Sequence, residues 1–174
     1  MSIDKTLTLE TIKDRLQQYA YLTRLDRPIG ILLLLWPTLW ALWFASDGNP
    51  KFSNLLIFTL GVVVMRAAGC VINDYADRHV DGSVERTKNR PIPSGRMTVT
   101  FAFILAIILT IAGLSILYSI NERTAMFGAI SICLYTSAYT PLKTKTPLSV
   151  FVGAIPGAIP FMLGWVAATG KFGI

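Results

Sequence analysis

The sequence predicts an all-α, polytopic bundle of transmembrane helices, and three observations predict it. Five apolar stretches, residues 28–46, 53–72, 99–120, 124–140 and 147–169, reach or approach the length of about 20 residues that crosses a bilayer core of about 30 Å. Of the 174 residues, 53% are hydrophobic and 15% charged, with a mean hydropathy of +0.54, whereas soluble domains carry about 25% charged residues. None of the stretches shows the apolar–polar alternation of a membrane barrel strand. The composition excludes a disordered tail, a collagen-like fibre and a disulfide scaffold.

Residues 1–27 are a segment of their own. Asp4, Lys5, Glu10, Lys13, Asp14 and Arg15 make it too mixed in charge for the head of a secretory signal. Leu9, Ile12, Leu16, Tyr19, Leu22 and Leu25 recur at spacings of three and four, the mark of an amphipathic helix. Such a helix lies at the membrane interface or packs on the bundle as a lead-in. Residues 28–174 form the transmembrane domain.

The first span carries Trp36, Trp40 and Trp43 at helical spacing, with Phe44 beside them. They read as packing within the membrane or as an aromatic wall for a lipid-like substrate. Pro37 in this span, and Pro156 and Pro160 around Gly157 in the last, predict kinks. The fourth stretch is the shortest and is rich in Ser and Thr, and Pro141 is expected to end it at Tyr139. Cys70 and Cys133 both sit in apolar runs as small packing residues, and no C-x-x-C or Cys/His cluster exists.

The charges report topology. Net charge is +6, but the bases lie between apolar runs rather than in one patch, so no nucleic-acid partner is expected. With the N-terminus on the cytoplasmic side, segments 1–27, 73–98 and 141–146 hold five, five and two Lys/Arg. The opposite side holds only Lys51, Arg123 and Lys171. That asymmetry is the positive-inside pattern.

The chemistry concentrates in residues 73–96, NDYADRHVDGSVERTKNRPIPSGR. Asn73, Asp77 and Asp81 fall at i, i+4 and i+8, one face of a helix if the second span continues beyond the membrane. Asp74 lies about 60° to 100° off that stripe and joins as an outer ligand. Oxygen donors without Cys suit a hard divalent cation, Mg²⁺ above all, bridging to a phosphate group. Arg78, Arg86, Lys88, Arg90 and Arg96 offset the carboxylates and suit a diphosphate. The alternative is a solvated loop of mixed charge. His79 reads as a surface residue.

Arg66 lies inside the second span, where a charge is costly unless it is paired or faces a cavity. It stands seven residues before Asn73, about two turns up the same face. It suits a phosphate or a substrate carboxylate, or else a structural ion pair. Tyr139 and Lys143 are one turn apart at the cytoplasmic end of the fourth span and can face the acidic motif. Lys143 is equally well placed as a plain positive-inside anchor.

These residues resemble a known family. NDYADRHVDGSVERTKNRPIPSG is similar to the first Asp-rich motif of the UbiA superfamily of membrane prenyltransferases. RLDRPIGILLLLWPTLWALW and YTPLKTKTPLSVFVGAIPGAIPFMLGW resemble the first and third blocks of its 4-hydroxybenzoate polyprenyltransferase branch. The resemblance implies about five of nine helices around a cavity open to the cytoplasm and the lipid of a bacterial inner membrane. It implies Mg²⁺-dependent transfer of a polyprenyl group from its diphosphate to 4-hydroxybenzoate in ubiquinone synthesis. In that scheme Asn73, Asp77 and Asp81 hold the metal-bound diphosphate with Asp74 assisting. Arg66, Lys143, Tyr139 and Arg90 line the diphosphate or substrate, and Arg24 binds diphosphate or the acceptor's carboxylate. After Asp81 the chain has no further Asp, so the family's second Asp-rich motif is missing. The chain reads as the N-terminal portion of such an enzyme or a truncated product. Rival readings are another acceptor (homogentisate, a naphthoate or haem), a transporter or channel, and a non-catalytic membrane module.

Overall fold

The structure is a computed structural model that describes residues 3–171, with side chains from Glu10 onward. Helix α1 spans Ile3–Thr23, α2 Ile29–Phe44, α3 Phe52–Asp81, α4 Val99–Tyr118, α5 Glu122–Leu142 and α6 Ser149–Thr169. No strand occurs among the described residues. Four helices, α3 to α6, are long and apolar enough to cross a membrane, and the chain is a multi-pass membrane protein.

Two lengths differ from expectation. With 16 residues, α2 rises only about 24 Å. Pro28 opens it, and at its far end Asp47 and Gly48 turn the chain with φ of 49° and 80°. Conversely, α5 reaches 21 residues. Asn121 starts it early, because its side chain accepts the Thr124 amide at 2.8 Å. Nor does Pro141 stop it at Tyr139. The helix widens into a π-turn over Leu134–Tyr139, and the wider turn carries the chain on to Leu142.

α3 is the spine. Its 30 residues rise about 45 Å, some 15 Å more than a bilayer core. The helix runs unbroken through Asp81, so the acidic motif projects beyond the span as one more helical stretch. α3 packs most extensively on α4, while α2 and α5 pack on α6.

Apolar clusters close the bundle at both ends. Leu22, Val71, Ile92, Ala102 and Ala106 pack at the motif end, and Leu42, Phe58, Leu117 and Ala167 at the other. Close approach of α2 and α6 requires Gly164, where a Cβ would stand 2.2 Å from the Thr38 carbonyl oxygen. Pro160 deprives the Pro156 carbonyl of its helical donor. Ser131 of α5 donates its hydroxyl to that carbonyl at 3.4 Å.

The N-terminal helix docks by its last turns only. Leu22 is fully buried, and Tyr19 meets Phe101 of α4 edge-on at 5.5 Å. Ile12, Leu16 and Leu25 stay exposed, so the rest of its apolar face is left to the surroundings. Leu9 belongs to that predicted face but lies outside the residues with described side chains.

Candidate active site

Between α2, α3, α5 and α6 lies a cavity of about 840 Å³. At the motif end it is polar, lined by Arg24, Asn73, Asp74 and Arg90, with Tyr135 and Tyr139 beside them. Its deeper part is apolar, reaching Phe58, Val62, Leu117 and Leu163. Arg66 lies between the two regions along α3.

The acidic motif is divided into two charge clusters. In one, Asp74 is buried at 1% exposure and accepts from Arg24 Nη2 at 2.8 and 3.1 Å and from Arg90 Nη1 at 3.0 Å. Arg90 Nη1 also donates to Asp81 at 2.6 Å. In the other, Lys143 Nζ donates to Asp77 at 2.7 Å and to Asn73 Oδ1, while Asn73 donates to Asp77 at 3.0 Å. Tyr135 adds its phenol to Asn73 Oδ1 at 3.4 Å. The Arg–Asp and Lys–Asp contacts are short because both members are charged. They offset the repulsion that four neighbouring polar groups, three of them anionic, would otherwise suffer.

Local structure aims each base. Arg24 follows the last turn of α1 with φ of 59°, in the left-handed region where Gly is the usual occupant. The amide of Leu25 returns to the Ala20 carbonyl at 3.0 Å, which closes the helix end and sends the Arg24 side chain across to α3. Arg90 rides the loop after α3. Pro91 and Ile92 are buried beneath it, and the Thr87 hydroxyl donates to the Asp81 carbonyl at 2.9 Å. Lys143 follows the π-turn of α5, which also stacks Tyr135 on Tyr139 at 5.4 Å and 28°. Thr140 ties this turn by donating to the Tyr135 carbonyl at 2.7 Å.

Set against the sequence-based expectation, the single stripe of Asn73, Asp77 and Asp81 does not form as one set. Asn73 and Asp77 pair, but Asp81 is drawn through Arg90 to Asp74, and Asp74 is the more central acid. The reason is the Arg90 loop, whose Nη1 bridges Asp74 and Asp81, seven residues or about two helical turns apart. Among the described residues no three acids, Cys or His converge on a single point. Arg78 turns to its own helix, donating to the Tyr75 carbonyl at 2.7 Å and covering the Tyr75 ring. Lys88 pairs with Glu85 at 2.8 Å, while Arg86, Arg96 and His79 are exposed. Trp36, Trp40 and Trp43 face outward, each about half exposed, and none lines the cavity. The aromatic wall is Tyr135 and Tyr139 instead. Tyr135 was missed, although its spacing of four from Tyr139 was a legible signal. Arg66 joins no ion pair among the described residues, and its Nε is buried without a partner.

The donors suit a hard divalent ion in kind, since all are carboxylate or amide oxygens. Lys143 and Arg90 donate to these oxygens.

The chain is similar to known proteins. The family model described as "UbiA prenyltransferase family" matches residues 34–174. A protein named 4-hydroxybenzoate octaprenyltransferase from Tolumonas auensis is 48% identical over 160 residues, 91% of this chain and 56% of that protein. One named protoheme IX farnesyltransferase from Flavobacterium psychrophilum is 64% identical over 120 residues, 69% of this chain and 40% of that protein. The chain thus spans about half the length of the curated relatives it matches. Among solved structures, a UbiA homologue from Archaeoglobus fulgidus bound to DMAPP and Mg²⁺ superposes with a TM-score of 0.76 at 21% identity. It covers 88% of this chain and 55% of that one. A digeranylgeranylglyceryl phosphate synthase structure gives a TM-score of 0.77 at 24% identity, over 88% and 53% of the two chains. The helical fold and the family match over residues 34–174 lead to one statement: the chain belongs to the UbiA prenyltransferase family.

Proposed function

We propose that the protein takes part in transferring a polyprenyl group from its diphosphate to the ring of 4-hydroxybenzoate, a step toward ubiquinone. The observation that carries this reading is the cavity itself, with three acid-bound bases at a polar mouth and an apolar chamber behind it. The mouth suits a diphosphate and the chamber suits the prenyl chain. The N-terminus and the mouth face the cytoplasm of a bacterial inner membrane, as the distribution of Lys and Arg supports.

Arg24, Arg90 and Lys143 donate to the diphosphate as it arrives, and release Asp74, Asp81 and Asp77. Those carboxylates and Asn73 would hold Mg²⁺, which when bound neutralises the diphosphate and eases departure of the leaving group. The three bases stabilise the charge that develops on the leaving oxygens. Tyr135 and Tyr139 line the cavity beside the polar mouth, and their π faces would favour an allylic cation formed there. The apolar lining excludes water that would quench the cation. The acceptor ring attacks the allylic carbon from the position beside its own hydroxyl as the bond to the diphosphate oxygen breaks, and the proton on that ring carbon then leaves to the released diphosphate or to water, so no covalent nucleophile from the protein is needed.

The names of the flavobacterial relatives favour a second reading, farnesyl transfer to haem. Membranes bearing the protein, given labelled polyprenyl diphosphate, Mg²⁺ and either 4-hydroxybenzoate or protohaem, distinguish the two. Labelled prenyl-hydroxybenzoate supports the first reading, and labelled haem with no hydroxybenzoate product overturns it.

A further inference from the structure

The acidic motif contains one base that the candidate site does not use. Arg78 Nη1 donates to the Tyr75 carbonyl at 2.7 Å, and its guanidinium lies over the Tyr75 ring, 4.5 Å from the centroid. Arg78 joins no ion pair among the described residues. A guanidinium carries several N–H donors in a planar fork. The rest of this fork is open to an anion. Tyr75 belongs to a second groove, of about 430 Å³, on another face of α3. None of the residues lining that groove lines the cavity.

The groove is a wedge between α4 and α5, floored by Ile72, Tyr75 and Ala76 of α3. At its closed end the two helices are joined by the short turn 119–121 and pack tightly, for a Cβ on Gly128 would stand 2.4 Å from Leu117 Cδ1. At the motif end α5 widens into its π-turn and is held to α3, where Tyr135 and Lys143 both donate to Asn73. A strip of α3 is thereby left uncovered beside α4. On the α4 side the groove runs from Phe103 to Ile111, eight residues or about 12 Å. The hydrocarbon of one leaflet is about 15 Å deep, half of a bilayer core of about 30 Å. The lining is apolar in effect as well as in composition. Thr110, Thr136 and Thr140 direct their hydroxyls to the carbonyls of Ala106, Cys133 and Tyr135 within their own helices, at 2.8, 3.1 and 2.7 Å. No threonine donor is left for a polar ligand.

We propose that this groove binds one anionic phospholipid, with an acyl chain lying along Phe103–Ile111 and the phosphate held by Arg78. Two observations select that occupant. The apolar length matches one leaflet, whereas a partner helix crossing the membrane needs a seam along the whole core. The unpaired guanidinium stands at the polar end of the same groove, three residues beyond Tyr75, where a headgroup lies when its chain points inward. The planar fork matches phosphate oxygens. A zwitterionic headgroup brings its own ammonium close to Arg78, so a headgroup with net negative charge is preferred. The site is separate from prenyl transfer, because α3 presents Asn73 and Asp74 to the cavity but Ile72, Tyr75 and Ala76 to the groove.

Photo-crosslinking in nanodiscs of dioleoylphosphatidylcholine tests it, with a trace of phosphatidylglycerol carrying a diazirine midway along one acyl chain. Peptide mass spectrometry then maps the adducts. In wild type they are expected to concentrate on residues 103–111 and 136–140. Val150 and Phe151 of α6, 71% and 75% exposed, serve as the comparison for ordinary lipid contact. A phosphatidylcholine probe with the same chains should label the groove about fivefold less, the share of one basic residue near a headgroup. Arg78→Gln should remove that preference and leave labelling by phosphatidylcholine unchanged. Ala76→Trp, which fills the floor without touching a charge, should reduce labelling by both probes. Soluble glycerol phosphate and geranylgeranyl diphosphate with Mg²⁺ should leave the wild-type map as it is. Wild-type adducts spread evenly over the groove and α6 would overturn the proposal whatever the variants do. An undiminished preference in Arg78→Gln would overturn the role of Arg78. Displacement by glycerol phosphate would mean a plain anion site, and displacement by the prenyl diphosphate a path for its tail, and either result would overturn the phospholipid assignment.

Discussion

The pair of Asp74 and Arg24 offers the sharpest test of how the mouth is built. Asp74 is 1% exposed and accepts three hydrogen bonds from two guanidinium groups. Asp74→Asn keeps the shape and removes the charge. Breaking a buried ion pair costs about 3–5 kcal/mol when the stranded partner stays buried. Here Arg24 is 21% and Arg90 18% exposed, and Arg90 keeps Asp81 at 2.6 Å. Solvent and the second acid therefore reduce the loss to about 2–3 kcal/mol. Much of that belongs to Arg24, whose left-handed backbone is held by its side-chain bonds to Asp74 together with the Leu25 amide bond to the Ala20 carbonyl. In a double-mutant cycle with Arg24→Leu, the coupling should be about 1.5–3 kcal/mol. Equilibrium unfolding in mixed micelles measures it. Additivity of the two substitutions within about 0.5 kcal/mol would refute the reasoning, because it would mean that the pair contributes nothing specific.

Other substitutions probe separate links. Ser131→Ala leaves the carbonyl freed by Pro160 without its donor, and should lower stability by about 1 kcal/mol in the same assay. Gly164→Val drives a side chain into the Thr38 carbonyl and should lower stability by about 1–3 kcal/mol or more, read as a drop in Tm. Lys143→Met removes the ammonium from Asn73 and Asp77. Manganese binding without diphosphate should strengthen, while prenyl diphosphate binding weakens about tenfold, as electron paramagnetic resonance and dialysis would show. Tyr135→Phe gives up only a 3.4 Å hydrogen bond and should change turnover by less than about threefold. Tyr135→Leu loses the aromatic face and should reduce kcat about tenfold at unchanged KM.

The helices were legible because apolar length and the flanking charges are properties of the chain itself. α3, α4 and α6 lie close to where hydropathy puts them. The end of α5 was not legible. A π-turn is a compromise among Pro141, Thr140 and the packing of Tyr139, and no local periodicity announces it. The members of the site were likewise legible, since acids and bases at a membrane edge need partners. Their pairing was not. Helical spacing places Asn73, Asp77 and Asp81 on one face, but it is silent on Arg90, nine residues beyond Asp81, reaching back to join Asp74 and Asp81. The sequence sets Arg66 apart by its place inside a span, but not by its partners. That its Nε is buried without a hydrogen-bond partner is seen only in three dimensions.

The most direct test of the central claim is binding of labelled polyprenyl diphosphate to the nanodisc-embedded protein, with and without Mg²⁺, in wild type and Asp77→Asn. The account predicts tight binding only with Mg²⁺ and a loss of at least tenfold in Asp77→Asn. Binding that ignores both the metal and the substitution would contradict it, because the acidic motif would then not be the diphosphate site.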